Sequence, residues 1–193
     1  MLSTAMKGIK TMKVFTKDEL KTFNCMGYAF GVELWINPRG TAHLGDWINE
    51  EYGDVVSDFS INCALDDIVD NMIEDYEGLE LIQNVLDYPL FKEIMAFRVA
   101  VDLNNTQNND YHFKVRRNGV WSEKNGGENI RECELLPDKP WNTVDFDNAV
   151  WSDTIYLAWK DNLTRNNIKK IVYNNIDSIH VYNLQKYQNR SFL

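Results

Sequence analysis

Phe23-Asn24-Cys25-Met26-Gly27-Tyr28-Ala29-Phe30 is the stretch on which the reading of this chain turns. It places a cysteine in the first turn of an expected helix, directly after an asparagine suited to capping it. From Cys25 to about Trp35 the apolar residues Met26, Tyr28, Ala29, Phe30, Val32 and Leu34 fall around most of a helix circumference, which predicts a buried helix. Asn37-Pro38-Arg39-Gly40 supplies the turn chemistry that ends it.

The expected counterpart is Asp110-Tyr111-His112-Phe113-Lys114-Val115-Arg116-Arg117-Asn118-Gly119-Val120-Trp121-Ser122-Glu123-Lys124. Asn118-Gly119 is a strong hairpin signal, because a type I′ turn needs positive φ at both central residues. A two-residue turn there pairs Arg117 with Val120, Lys114 with Glu123 and His112 with Asn125. Side chains alternate along a strand, so His112, Lys114, Glu123 and Asn125 share one face. Tyr111, Phe113 and Val115 share the other with Ser122 and Lys124. His112 therefore has Asn125 directly across and Glu123 diagonally, either able to orient its ring.

A nucleophilic thiol needs a lowered pKa, a base within reach and a third group that fixes the tautomer of the base. A helix start contributes to the first through its dipole. His112 is the candidate base, with Glu123 or Asn125 as the orienting group. The Cys25 backbone N–H is a candidate oxyanion donor. Cys63 sits at the edge of an apolar stripe beside acidic residues, and Cys133 lies between Glu132 and Glu134, settings that hold both thiols protonated. The bland alternatives are a packed cysteine, a half-buried histidine and an ordinary Lys114–Glu123 cross-strand pair.

The order of these features resembles the papain-like fold of cell-wall amidases and CHAP-type hydrolases. Asn24-Cys25-Met26-Gly27-Tyr28-Ala29 is similar to the N-C-x-x-Y-A start of a group of bacterial and phage proteins in that superfamily. Asp110-Tyr111-His112-Phe113 and Gly119-Val120-Trp121-Ser122-Glu123-Lys124 resemble the group's D-[FY]-H-[FWY] and G-x-W-S-H-K, with Glu123 where the pattern has a second histidine. The resemblance implies an α+β papain-like domain, its Cys-bearing helix packed on an antiparallel sheet bearing the His. It implies a cysteine peptidase or amidase with Cys25 and His112 catalytic, Glu123 or Asn125 third, and Asn24 and Tyr28 supporting. The alternatives are a catalytically silent relative that binds a host or partner protein, and an acyltransferase using the same dyad.

The remainder of the chain is scaffold in this reading. Thr16 and Glu19 form a capping box for a short helix. Residues 41–57 read as a loop. Residues 58–77 read as an amphipathic helix, with Ile61, Ala64, Leu65, Ile68, Val69, Met72 and Tyr76 on one side and acidic residues opposite. Residues 93–101 and 154–160 read as strands, and so do 168–173 and 178–184. The domain is expected over 1–163, with 164–193 an appendage packed on it.

Composition limits the functional classes. Of the 193 residues, 44% are hydrophobic and 25% charged, so a core can form. The net charge of −9 argues against nucleic-acid or anionic-membrane partners and leaves a protein or peptide substrate. An odd cysteine count without C-x-x-C spacing gives no zinc site, and no cofactor is expected. A reducing, cytoplasmic setting is expected, with no apolar run long enough for a signal peptide or a membrane span.

Overall fold

The structure is a computed structural model describing residues 15–41, 44–53, 56–106, 108–135, 141 and 148–175. It is α+β: an open antiparallel sheet with helices. The strands are β1 (Leu79–Ile82), β2 (Ile94–Asp102), β3 (Asn109–Arg117), β4 (Val120–Lys124), β5 (Ile130–Glu132), β6 (Ala149–Trp151) and β7 (Ile155–Trp159). Their order is β1-β7-β2-β3-β4-β5, with β6 also paired to β2. The helices are α1 (Lys17–Leu20), α2 (Cys25–Phe30), α3 (Leu44–Tyr52), α4 (Asp58–Asp75) and α5 (Arg165–Asn174). No helix among the described residues is long and apolar enough to cross a membrane.

The two sides of the sheet differ in chemistry. On one side Met95, Phe97, Val99 and Val101 of β2 and Phe113 and Val115 of β3 join α2 and α4 in the main core. Phe30 is the centre of that core's aromatic packing, meeting Tyr76, Phe113 and Trp159 edge-on. All nine residues of β2 are buried, as expected of a strand covered on both faces. On the other side lie Arg98, His112, Lys114, Arg116 and Glu123, together with a small apolar cluster of Ile82, Ile94 and Ala158.

The hairpin forms with the expected register. Asn118 and Gly119 have φ of 52° and 84°, and Lys114 pairs with Glu123. The Thr16–Glu19 capping box and the helix over 58–75 also form as the sequence predicts.

Three elements differ. The Cys25 helix ends at Phe30 instead of near Trp35, because Gly31 takes the left-handed conformation at φ 71° and sends an N–H back to the Tyr28 carbonyl. Residues 44–52 are a helix and not a loop. Its Gly45 is required because a Cβ there would lie 1.7 Å from the Thr106 carbonyl oxygen. Residues 168–173 belong to helix α5 and not to a strand; Thr164 caps it through the Asn167 N–H, and Ile168 and Val172 enter the main core. The strand expected over 178–184 lies outside the described residues.

Candidate functional site

Asn24 builds the start of α2. Its side-chain oxygen accepts from the Gly27 N–H at 3.0 Å. Its amide nitrogen donates to the Ile36 carbonyl at 2.6 Å and lies 2.7 Å from the Tyr111 hydroxyl. This amide ties α2, the 36–37 segment and β3 together and has no donor left for an oxyanion. Tyr28 is similarly engaged: its hydroxyl shares a 2.7 Å hydrogen bond with Ser122, and its ring packs under Arg117. Both expected supporting residues are held in these contacts.

Cys25 is 5% exposed and belongs to the main core. Its sulfur lies 4.0 Å from the Tyr111 carbonyl oxygen. Burial pushes the thiol up to about 12, with the nearby Asp110 charge acting in the same direction. Backbone N–H groups of Phe113 and Met26 and the Lys124 charge pull against this and are outweighed.

Lys124 is not among the residues the sequence points to as a site. Its side chain is fully buried, reaches the Gly126 carbonyl and stands 4.6 Å over the Phe23 ring. Burial pushes its ammonium down to about 8.

His112 is 1% exposed and projects from the other side of β3. Its Nε2 lies 3.1 Å from a Glu123 carboxylate oxygen. That carboxylate also takes Arg131 Nε at 2.8 Å and the Lys114 ammonium at 3.6 Å. Burial pushes Glu123 up, but the hydrogen bond from His112 and the charges of His112, Lys114 and Arg131 outweigh it and hold the carboxyl at about 2. At His112, by contrast, burial prevails and lowers the pKa against the pull of Glu123. An ionised carboxylate only accepts, so the neutral ring carries its proton on Nε2 and its lone pair on Nδ1.

Around this pair, Trp141 meets the His112 ring edge-on at 5.9 Å, and the Lys114 ammonium lies 4.8 Å from the Trp141 ring. Arg98, beside His112 in the register, donates from Nε to the Ser152 carbonyl at 2.6 Å.

Of the expected site residues, the structure brings His112 and Glu123 together. Asn125 does not bond to the ring. No hydrogen bond joins the Cys25 thiol to His112: the thiol approaches β3 from the helix side, and the imidazole leaves it on the opposite side. The reason is alternation, since Tyr111, Phe113 and Val115 face the core that holds α2, and His112 between them cannot. Cys133 has its thiol raised to about 11, by burial first and then by the Glu123 charge, not by its sequence neighbours Glu132 and Glu134. Comparisons with protein-family models, with curated proteins and with solved structures give no match to this chain.

Proposed function

We propose that this chain is a binding protein, in which His112 and Glu123 brace the sheet and Cys25 is a packing residue. The observation that carries this reading is the state of Cys25: sealed in the core, held protonated, and hydrogen-bonded to a backbone carbonyl instead of an imidazole. A patch of exposed apolar side chains supports it. Leu86 is 90% and Phe91 79% exposed, and Leu90 and Val120 are exposed beside them around the hairpin turn. A cluster of this kind on a surface marks a protein-binding area. The partner in this reading is a protein, met in the cytoplasm.

One observation favours a second reading, a papain-like thiol hydrolase or acyltransferase. Glu123 holds His112 in the tautomer whose Nδ1 can take a proton from a thiol. That reading requires β3 to rearrange when a protein or peptide substrate binds, because Cys25 and His112 lie on opposite sides of it here and a simple closing of the contact cannot join them.

Thiol alkylation separates the two. Limiting iodoacetamide at pH about 6.5 lies well below the ~8.5 of a free thiol. In the folded protein it should modify Cys25 no faster than Cys63 or Cys133, and His112→Ala should leave the order unchanged. Peptide mapping reads the result. Selective labelling of Cys25 that disappears in His112→Ala would sink the binding-protein reading and establish an activated nucleophile.

A further inference from the structure

We infer that the groove beneath the β3–β4 hairpin is a recognition site for the carboxylate end of an apolar peptide, with Arg116 as its anion-binding group. The groove is open, measures about 830 Å³, and lies on the His112 side of the sheet. Arg116, Trp121, Tyr156, Val85, Leu86 and Leu135 line it. Val85, Trp121 and Tyr156 rest on the Ile82–Ile94–Ala158 cluster, which gives the groove an apolar floor.

Arg116 is 5% exposed. Its Nη2 donates to the Tyr88 and Pro89 carbonyls at 3.3 and 3.0 Å, and its buried Nε has no partner. Among the described residues no carboxylate pairs with it. A desolvated guanidinium without a counter-ion is costly, and two carbonyls satisfy only part of its donor set. A carboxylate is the ligand that matches it: one negative charge for one positive, with an oxygen to meet a guanidinium donor that the two carbonyls leave unused. A phosphate dianion would call for more positive charge than the single guanidinium among the lining residues supplies, and Glu134, which also lines the groove, repels a dianion more strongly than a single carboxylate. The apolar floor selects the body that carries the carboxylate, and exposed Leu86 and Val120 extend that surface outward.

This inference deepens the binding reading but rests on separate observations. A reactive Cys25 would remove the binding-protein reading and leave the groove; absence of carboxylate binding would remove the groove alone.

The test is calorimetric titration of the full chain with N-acetyl-Leu-Phe as the free acid, with its C-terminal amide, and with inorganic phosphate. The acid should bind, the amide should bind about tenfold or more weakly, and phosphate should not displace the acid. Arg116→Met should bind acid and amide equally weakly. Because Arg116 is buried, Leu86→Asp is the companion variant: Leu86 is on the rim and solvent-exposed, and an added carboxylate there should weaken the acid selectively. Equal binding of acid and amide, no binding of the acid at millimolar concentration, or displacement by phosphate would each overturn the proposal.

Discussion

Glu123→Ala should lower the unfolding free energy by about 3–5 kcal/mol, the range for removing one partner from a buried charge pair. The deleted carboxylate is the common partner of His112 Nε2, Arg131 Nε and the Lys114 ammonium. Lys114 and His112 are both buried, so they cannot turn to water for compensation. In a chain of this size the loss should lower the melting temperature by about 10 °C. Glu123→Gln keeps an acceptor for His112 but loses the charge, and should fall between.

The same carboxylate sets an acid limit. Its folded pKa is depressed to about 2 from an ordinary value of 4.5. A depressed carboxyl contributes stability that is fully present above the unfolded pKa and is lost as pH falls through the folded one. Stability should therefore decline from pH about 4.5 down to about 2, and Glu123→Gln should flatten that decline. Thermal unfolding followed by circular dichroism across this range checks both statements. A Glu123→Ala loss under about 1 kcal/mol would mean that the cluster relaxes by taking in water.

Gly27→Ala should cost about 3 kcal/mol or more, although alanine is the better helix former. A Cβ at residue 27 would lie 2.0 Å from the Leu34 carbonyl oxygen and 3.2 Å from Phe23 Cβ. The nearest atom is backbone, so no side chain can rotate out of the way. Helix α2 is also pinned at this residue: Gly27 N–H donates to Asn24, and its carbonyl accepts from Val32 N–H at 2.9 Å. The helix would have to lift off β3, which should also expose Cys25 to thiol reagents. Gly53→Ala is the control. Nothing lies within 4 Å of a Cβ there, and only its φ of 63° opposes the change, so about 1 kcal/mol is expected. Chemical denaturation of both variants measures the difference. Equal losses would show that the Leu34 carbonyl gives way easily.

The sequence carried the hairpin well, because Asn118-Gly119 fixes the turn and the turn fixes every pair that follows. It also carried helix α4, whose apolar residues keep a helical period over five turns. The end of α2 was written in Gly31, but the apolar residues beyond it continued the pattern and hid the stop. Helix α3 has apolar Leu44, Trp47 and Ile48 at helical spacing, masked by Gly45, whose purpose lies in a distant contact with Thr106. In α5 the run Ile171-Val172-Tyr173 has strand-like residues, and Asn167 in place of Glu or Gln weakens the capping signature. At the site, alternation puts His112 on one face with both Glu123 and Asn125, and the register favours Asn125 directly across; the ring bonds Glu123 on the diagonal instead. The same alternation set the apolar row of β3 toward the core, and so placed Cys25 and His112 on different sides. Arg116 and Trp141 had no legible signal: one depends on a groove formed by four separate segments, the other on a contact across the sheet.

The strand order has a consequence for how the protein is made. Among the described residues strand β1 pairs only with β7, and β7 also flanks β2 at Met95, Ala96 and Phe97. The ribosome produces β1 and β2 long before Ile155–Trp159 exists. During that interval β1 has no partner and β2 presents an open hydrogen-bonding edge on an almost wholly apolar strand. At about 5–20 residues per second this lasts several seconds. The nascent chain is thus most vulnerable to association with its neighbours on the polysome between the synthesis of residue 102 and the arrival of residue 159.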